Sequence, residues 1–196
     1  MLVGVLGLQG DFREHLAMLR SLGANARDVR RPEDIELIDG LIIPGGESTT
    51  MGKLMVDYRV DEPIARRFAE GKLAIYGTCA GMILLARDIA GYRDQFSLGL
   101  LDVTVQRNAF GRQKESSEED LIVEGLDSPM RALFIRAPVI TRTGPSVAVK
   151  ARVAMGPVFV QQGGILASSF HPELGTDTRV HELFLAVIAR SLNREV

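Results

Sequence analysis

The sequence predicts an α/β fold, a doubly wound and mostly parallel sheet covered by helices. Three observations support this prediction. Short apolar runs alternate with amphipathic segments through the first half of the chain, which is typical of βαβ units. The runs at 2–8, 40–44 and 73–76 are almost continuously apolar, as strands covered on both faces are. Beyond residue 100 the apolar runs are closely spaced, which predicts hairpins and a mixed sheet in the C-terminal half.

The elements of the first half follow in strand–helix order. Apolar residues recur at helical spacing from Phe12 to Leu22, Asp11 can cap that helix, and Gly23 suits its end. Pro32 lies in a polar connection, 30–34, where it prevents a strand from continuing. The remaining elements are a strand at 26–29 and helices at 49–57, at 61–70 and near 80–89.

The second half is rich in valine, isoleucine and phenylalanine. Strands are predicted at 100–106, 121–124, 132–136, 147–153, 157–162 and 165–169. Residues 107–120 are polar and acidic and are interpreted as a mobile loop, and a terminal helix is predicted from Thr178 to Asn193. Because no repeat or linker interrupts the pattern, we expect one domain over residues 1–196, a flavodoxin-like three-layer sandwich with a mixed-sheet C-terminal half.

Composition narrows the class of protein. Hydrophobic residues make up 46% and charged residues 24% of the chain, as in ordinary globular proteins. A formal charge of −2 gives no electrostatic reason to bind nucleic acid or an anionic membrane. No apolar run approaches the roughly 20 residues of a membrane span, and the N-terminus lacks the basic region of a signal peptide. One cysteine excludes an intramolecular disulfide. We therefore expect a cytoplasmic protein.

The stretch from Leu73 to Leu85 has the strand–turn–helix pattern of a nucleophile elbow, with Cys79 in the place of the usual serine. Gly77 and Gly81 remove Cβ atoms where the sharp turn crowds the strand against the helix. A sulfur at a helix N-terminus lies beside unpaired N–H groups, which favour the thiolate. A lone cysteine is also often a small buried hydrophobe. This stretch by itself leaves both roles open.

A cysteine nucleophile needs a base, and the base needs a group that orients it. The sequence Ser-Phe-His-Pro-Glu offers His171 and Glu173, which project to the same side of an extended backbone. His171 follows a predicted strand, as Cys79 does, and sites in α/β sheets gather at the C-terminal ends of strands. His15 and His181 lie in amphipathic helices among charged residues and are interpreted as solvated surface residues. By itself, the His-Pro-Glu triplet also fits an ordinary loop.

The third feature is the sequence Pro-Gly-Gly-Glu-Ser at 44–48, which also follows a strand. Hydrolysis through a thioester passes through tetrahedral intermediates, whose oxyanion needs preorganised donors. The N–H groups of Gly46 and Ala80 are the natural pair, since Ala80 follows the nucleophile. A plain glycine turn is the alternative. A phosphate-binding loop is disfavoured because the Gly-x-Gly-x-x-Gly and Walker patterns are both absent.

With Gly45-Gly46, Cys79 and His171-Pro172-Glu173 in this order, the chain resembles the class I, or triad, glutamine amidotransferases. The finer match is to the glutaminase subunits of pyridoxal 5′-phosphate synthase. It rests on blocks spread over nearly the whole chain, namely 7–15, 44–50, 76–81, 107–113, 134–138 and 170–174. One departure is Gly175, where that family usually has threonine; it lies beyond the triad.

The resemblance implies that the chain hydrolyses L-glutamine to L-glutamate and ammonia. Cys79 would attack the side-chain amide, His171 would protonate the ammonia and later activate water, and Glu173 would hold the imidazole ring. By the same resemblance, the glutamine pocket is lined by Gly46, Glu47, Ser48, Arg107, Ile135 and Arg136. An arginine suits the α-carboxylate because guanidinium binds carboxylates bidentately. The sequence leaves open which arginine does so, and an ordinary surface ion pair is the alternative for both.

The resemblance also implies a partner. A separate (β/α)8 synthase subunit would receive the ammonia and build pyridoxal 5′-phosphate. The two kinds of subunit would form a 12 + 12 complex, in which Gln9 and Gly10 of this chain contact the synthase. Docking is expected to reorient the peptide near Gly45 and Gly46 and so to complete the oxyanion hole. Pyridoxal 5′-phosphate is then the product of the complex, and we expect neither a cofactor nor a metal in this chain.

Three other functions remain open. The glutaminase subunit of another amidotransferase, such as imidazole glycerol phosphate synthase, is disfavoured by the blocks at 9–11 and 107–113. A catalytically silent regulatory module would not need Cys79, His171 and Glu173. A stress-type protein, in which the elbow cysteine senses oxidants, gives no role to the His-Pro-Glu triplet.

Overall fold

The computed structural model of the chain describes residues 1–109 and 116–192. Within these ranges the strands are β1 Val3–Leu6, β2 Ala26–Val29, β3 Gly40–Ile43, β4 Ala74–Thr78, β5 Ala86–Ile89, β6 Leu101–Gln106, β7 Ser116–Leu121, β8 Met130–Ile135, β9 Val139–Thr143, β10 Ala148–Val153, β11 Gly156–Gln162 and β12 Ile165–Ser168. The helices are α1 Phe12–Ser21, α2 Pro32–Ile35, α3 Ser48–Asp57, α4 Asp61–Ala69, α5 Ala80–Leu85 and α6 Arg179–Leu192, with a 3₁₀ turn at Pro172–Leu174.

Seven of the described strands form one central sheet in the order β10-β11-β12-β4-β3-β1-β2. The five strands from β12 to β2 pair in parallel, whereas β11 and β10 extend the sheet antiparallel. Strands β1, β3, β4 and β12 are buried along their whole length, which explains their continuous apolar sequences. The predicted doubly wound class and the mixed sheet of the C-terminal half are confirmed.

Helices cover both faces of the central sheet and create two apolar cores. Leu41 and Ile43 of β3 pack on one face with residues of α3, α4 and α5, and Ile42 packs on the other with residues of α1 and α6. This alternation follows from the pleat of a strand. The result is the predicted flavodoxin-like three-layer arrangement. No helix in the described part of the chain combines the length and the apolar character that crossing a membrane requires.

Two predicted elements differ from the structure after residue 80. The helix near 80–89 stops at Leu85, and 86–89 instead form β5, which pairs with β6 in a three-stranded sheet with β9. Strand pairing overrides helix propensity here. Strand β9 itself was not predicted. The loop at 30–34 also contains the short helix α2, whose N-terminus is closed by the Asp34 carboxylate accepting from two backbone N–H groups.

The prediction of a mobile loop at 107–120 is wrong for its last residues. Residues 116–121 form β7, which pairs in register with β8, and the predicted strand at 121–124 is therefore displaced toward the N-terminus. Arg131 on β8 bonds Glu118 at 2.9 Å and Asp120 at 3.2 Å, so cross-strand ion pairs offset the like charges. Residues 110–115 of the predicted loop, and Asn193 of the predicted terminal helix, lie outside the described residues.

Candidate active site

The C-terminal ends of β1, β3, β4 and β12 meet at one edge of the central sheet, and nine of the twelve predicted site residues follow these strands. Of the other three, Arg107 follows β6, and Ile135 and Arg136 lie at the end of β8. A cavity of about 390 Å³ opens there. Its walls include eleven of the twelve residues predicted from the sequence, namely Gln9, Gly10, Gly46, Glu47, Ser48, Cys79, Ala80, Arg107, Ile135, Arg136 and His171. The twelfth, Glu173, is buried beside His171. The structure therefore brings all the predicted residues to one place.

Cys79 occupies a sharp turn between β4 and α5. Its backbone angles are φ 48° and ψ −99°, a strained conformation for a residue with a Cβ atom. The Cys79 N–H donates to the carbonyl of Ser168 at 2.7 Å, which ties the turn to β12. A Cβ atom on Gly81 would lie 2.0 Å from the carbonyl oxygen of Ile43, so only glycine allows the helix to pack this closely. These are the backbone features of a nucleophile elbow.

Backbone strain is concentrated around this cavity. Within the described residues, four non-glycine residues have a positive φ: Arg59, Cys79, Asn108 and Arg136. The last three all line the cavity. Such conformations persist only where the surrounding structure enforces them, and they cluster at functional sites.

His171 and Glu173 are in direct contact. Nδ1 of His171 donates to Oε1 of Glu173 at 2.7 Å, and both residues are 5% exposed. The prediction that an extended backbone places both side chains on the same side is wrong. Pro172, Glu173 and Leu174 form a 3₁₀ turn, which folds the carboxylate back onto the imidazole ring.

The electrostatics of the pair favour a charged imidazole. Burial by itself would lower the pKa of His171, but hydrogen bonds with Cys79 and Glu173 and the charges of these two groups raise it to about 10. Burial raises the pKa of Glu173, and the hydrogen bond with His171 opposes that effect. Sγ of Cys79 also lies 3.8 Å from the carbonyl oxygen of Ile135. At neutral pH the imidazole therefore carries a proton that it can donate.

A further carboxylate, which the sequence did not identify as part of the site, faces the same imidazole. Oδ2 of Asp11 lies 3.6 Å from Nδ1 of His171, and the Asp11 side chain makes none of the cap hydrogen bonds predicted for it. Burial raises the pKa of Asp11, while the charge of His171 lowers it. Ligand atoms of Asp11, His171 and Glu173 all lie within 4.8 Å of one another. A protonated imidazole offers no lone pair to a metal ion, so this cluster is better suited to holding a proton.

The prediction that His15 and His181 are solvated is wrong, because both are fully buried. Nδ1 of His15 lies 2.9 Å from Nε2 of His181, and Nε2 of His15 lies 3.1 Å from Oγ1 of Thr78. Burial lowers the pKa of His181 to about 4. Burial, His181 and His171 together hold the pKa of His15 well below its usual value. Both rings are therefore neutral at neutral pH.

The loop at 9–11 packs directly on the glycine loop. The Asp11 N–H donates to the carbonyl of Gly45 at 3.1 Å, and the Glu47 N–H donates to Oε1 of Gln9 at 2.9 Å. Gly10 has φ +94°, and a Cβ atom there would lie 1.8 Å from the Gly45 oxygen. Because a trans peptide directs its C=O and N–H oppositely, the Gly46 N–H points away from Asp11.

The two arginines of the cavity have different surroundings. The guanidinium of Arg107 bonds Glu47 and Thr49, each at 3.2 Å, and also Gln95, and it lies 4.5 Å from the ring centre of Tyr92. Arg136 is exposed, and within the described residues its side chain has no hydrogen-bond or ion-pair partner. Arg107 is therefore held by its neighbours, whereas no described residue engages the side chain of Arg136, which also lines the cavity.

Comparison with known proteins identifies the family of the chain. A family model described as the SNO glutamine amidotransferase family matches residues 5–190. Similar curated proteins include two pyridoxal 5′-phosphate synthase subunits named PdxT. One, from Thermus thermophilus, is 58% identical over 93% of this chain and 95% of that protein. The other, from Mycolicibacterium vanbaalenii, is 55% identical over 95% of this chain and 97% of that protein.

Solved structures give the same result for the fold. A crystal structure of a glutamine amidotransferase has a TM-score of 0.92 and 55% identity, covering 95% of this chain and 98% of that chain. A glutamine amidotransferase from Thermotoga maritima, at 12% identity over 99% of this chain and 96% of that chain, has a TM-score of 0.63 and shares the fold. The resemblance found in the sequence is confirmed, and the chain belongs to the SNO glutamine amidotransferase family.

Proposed function

We propose that this chain is the glutaminase subunit of a pyridoxal 5′-phosphate synthase, which hydrolyses L-glutamine and delivers ammonia to a synthase subunit. One observation carries the proposal. The sole cysteine occupies a strained elbow in the same cavity as a protonated His171 that Glu173 orients. Relatives at 55–58% identity that are named as PdxT subunits of this synthase support the choice of pathway.

The geometry supports a thioester mechanism. The sulfur of Cys79 attacks the side-chain amide carbon of glutamine, and the tetrahedral intermediate collapses as the His171 imidazolium donates its proton to the departing ammonia. Neutral His171 then takes a proton from the water that attacks the γ-glutamyl thioester. Collapse of the second intermediate releases glutamate and returns the sulfur. Glu173 holds the ring in one tautomer through both steps.

The oxyanion of both intermediates needs two preorganised donors. We assign them to the N–H groups of Ala80 and Gly46. The Gly45–Gly46 peptide is held by the Asp11 N–H, and the neighbouring Glu47 N–H is held by Gln9. A synthase that docks on Gln9 and Gly10 therefore acts on the loop that fixes this peptide. We propose that docking reorients the Gly45–Gly46 peptide, and that the complex contains 12 glutaminase subunits and 12 synthase subunits.

We also propose that the chain works in the cytoplasm and uses neither a metal nor a cofactor of its own. The hydrolysis needs a nucleophile, a proton carrier, an orienting carboxylate and oxyanion donors. Residues of the cavity supply all of these except the carboxylate, which comes from Glu173 behind His171. Pyridoxal 5′-phosphate is made on the partner subunit.

The proposed function is tested by measuring glutamate release from L-glutamine by the purified chain, alone and with its synthase subunit. We expect release to be fast only in the complex. Equal rates with and without synthase would refute the docking step, and no release under either condition would refute the glutaminase itself. The synthase subunit of imidazole glycerol phosphate synthase is the control, and we expect it to give no stimulation.

Arg136 is assigned to the α-carboxylate of glutamine, since Arg107 is already engaged by Glu47, Thr49 and Gln95. Replacement of Arg136 by glutamine is expected to raise KM for glutamine about 100-fold, because a charge-assisted bidentate contact is lost. The value of kcat changes little, since the carboxylate is remote from the reacting amide.

The matched control is Arg131→Gln, on strand β8, which ends one residue before Arg136. Arg131 is exposed and bonds Glu118 and Asp120 away from the cavity. Steady-state kinetics of the complex should give an unchanged KM for this variant. A normal KM in Arg136→Gln together with a raised KM in Arg107→Gln would reverse the assignment of the two arginines.

A further inference from the structure

A buried polar cluster lies on the side of Glu173 that faces away from the cavity. Oε1 of Glu173 accepts from His171, whereas Oε2 faces Nε2 of His15 at 3.4 Å, and both side chains are completely buried. Within the described residues Oε2 has no hydrogen bond of regular geometry. His15 comes from α1 and its neighbour His181 from α6, so the cluster joins the triad carboxylate to two helices.

We propose that His15 is a positioning residue of the glutaminase. Its neutral ring directs the Nε2 proton between Oγ1 of Thr78 and Oε2 of Glu173, and so holds the carboxylate with Oε1 turned to His171. The inference rests on the proposed function, because the effect is exerted through the triad. His181 sets the tautomer of His15.

The tautomers follow from the contacts. A carboxylate oxygen can only accept, so an unprotonated Nε2 on His15 would place two lone pairs 3.4 Å apart in a buried site. The proton must then be on Nε2, and Nδ1 of His15 accepts from Nε2–H of His181 at 2.9 Å. This leaves Nδ1 of His181 as an acceptor without a partner, which agrees with the structure. The opposite tautomers would bury an unpaired N–H donor on His181.

A neutral donor suits this position. Burial and the charges around it lower the pKa of His15, so the ring adds a hydrogen bond without adding a charge that would compete with His171. The groups that face Glu173 are His171 of its own turn, His15 of α1, Asp11 of the preceding loop and Tyr76 of β4. Among these four groups, His15 is the one that offers the Glu173 carboxylate an N–H donor without a charge.

Three substitutions separate the two contacts of His15. In His15→Gln the amide NH₂ reaches the place of Nε2 and keeps a donor toward Glu173. In His15→Asn the shorter amide reaches only the place of Nδ1 and keeps the contact with His181. His15→Leu removes both. Ser191→Ala is the matched control, since it removes a hydrogen bond to the carbonyl of Val187 (3.1 Å) on α6, the helix that carries His181, without touching the cluster.

The readout is the pH profile of glutamate release by the complex. In His15→Asn and His15→Leu we expect kcat to fall about tenfold, as for loss of a hydrogen bond to a charged group, with KM unchanged. The acidic limb of the profile should move up by about one pH unit, because an unsupported carboxylate is protonated more readily. His15→Gln should have the kcat and the acidic limb of the wild-type complex. Ser191→Ala should leave both kcat and the acidic limb in place.

The proposal is overturned if the variants His15→Gln and His15→Asn have the same kcat and the same acidic limb. This comparison is decisive even if the leucine variant does not fold. A wild-type complex that releases no glutamate would instead refute the proposed function. An independent measurement is ¹⁵N NMR of the three imidazole rings in the isolated chain. It should show His15 neutral with its proton on Nε2, and a proton on Nδ1 would also overturn the proposal.

Discussion

Replacement of Cys79 by alanine is expected to abolish glutamate release by the complex, with a loss of at least about 10⁴-fold, as for removal of other triad nucleophiles. Without the sulfur no thioester forms, and the remaining oxyanion donors cannot replace a covalent step. Alanine fits the buried elbow without a clash and carries the same backbone strain as cysteine, so the melting temperature should change little. Glutamate release and thermal unfolding, measured on the same preparation, check this result.

Mass spectrometry provides the control for this variant. An electrophilic glutamine analogue should label the wild-type chain once, at its only cysteine, and should leave Cys79→Ala unlabelled. Cys79→Ser should be almost as inactive, because His171 is tuned to a thiol rather than to a hydroxyl group of much higher pKa. Substantial glutamate release by the alanine variant would exclude Cys79 as the nucleophile.

Glu173→Gln should lower kcat by about 10³- to 10⁴-fold, comparable with neutralising the carboxylate of other triads. The amide is nearly isosteric but carries no charge, so it neither fixes the tautomer of His171 nor supports its imidazolium. The pKa of His171 should therefore fall from about 10, since the hydrogen bond and charge of Glu173 help to raise it. Binding of glutamine should be almost unaffected, because the carboxylate does not line the cavity.

NMR titration of the His171 ring and steady-state kinetics test this second prediction together. Glu182→Gln is the control, since Glu182 is an exposed carboxylate on α6 that bonds Thr178 rather than a residue of the triad. A Glu173→Gln variant with normal kcat would show that Asp11, which also faces His171 at 3.6 Å, is sufficient to orient the ring.

The features that could be predicted from the sequence are those whose causes are local. The elbow around Cys79 was identified because an apolar strand, two glycines and an amphipathic segment are contiguous. Gly46 and His171 were placed beside it because all three follow predicted strands, and parallel strands bring their C-terminal ends to one edge. The local sequence patterns, together with the rule that parallel strands end at one edge of a sheet, are therefore enough to predict that these residues lie close together.

The features that were missed depend on partners distant in sequence. His15 and His181 are 166 residues apart, and each is surrounded in the sequence by charged residues, so nothing local shows that they are buried against each other. The acidic run in β7 becomes a strand only because Arg131 lies opposite it on β8. Likewise, the sequence does not distinguish the two arginines of the cavity, because the contacts of Gln95 and Tyr92 with Arg107 exist only in the folded chain.

The buried histidine pair also links folding to acidity. Both rings are neutral in the folded chain, with the pKa of His181 lowered to about 4 and that of His15 well below its usual value. The unfolded chain binds protons at these rings below about pH 6.5. Unfolding therefore takes up protons in acid, and the stability contributed by the neutral rings is lost as the pH falls.

For His181, the interval from about pH 6.5 to about pH 4 corresponds to about 3 kcal/mol. A typical domain has only about 5–15 kcal/mol of stability in total. The two histidines beneath the active site therefore reduce the stability of the folded chain as the pH falls from about 6.5 to about 4, because the unfolded chain binds protons that the buried rings exclude.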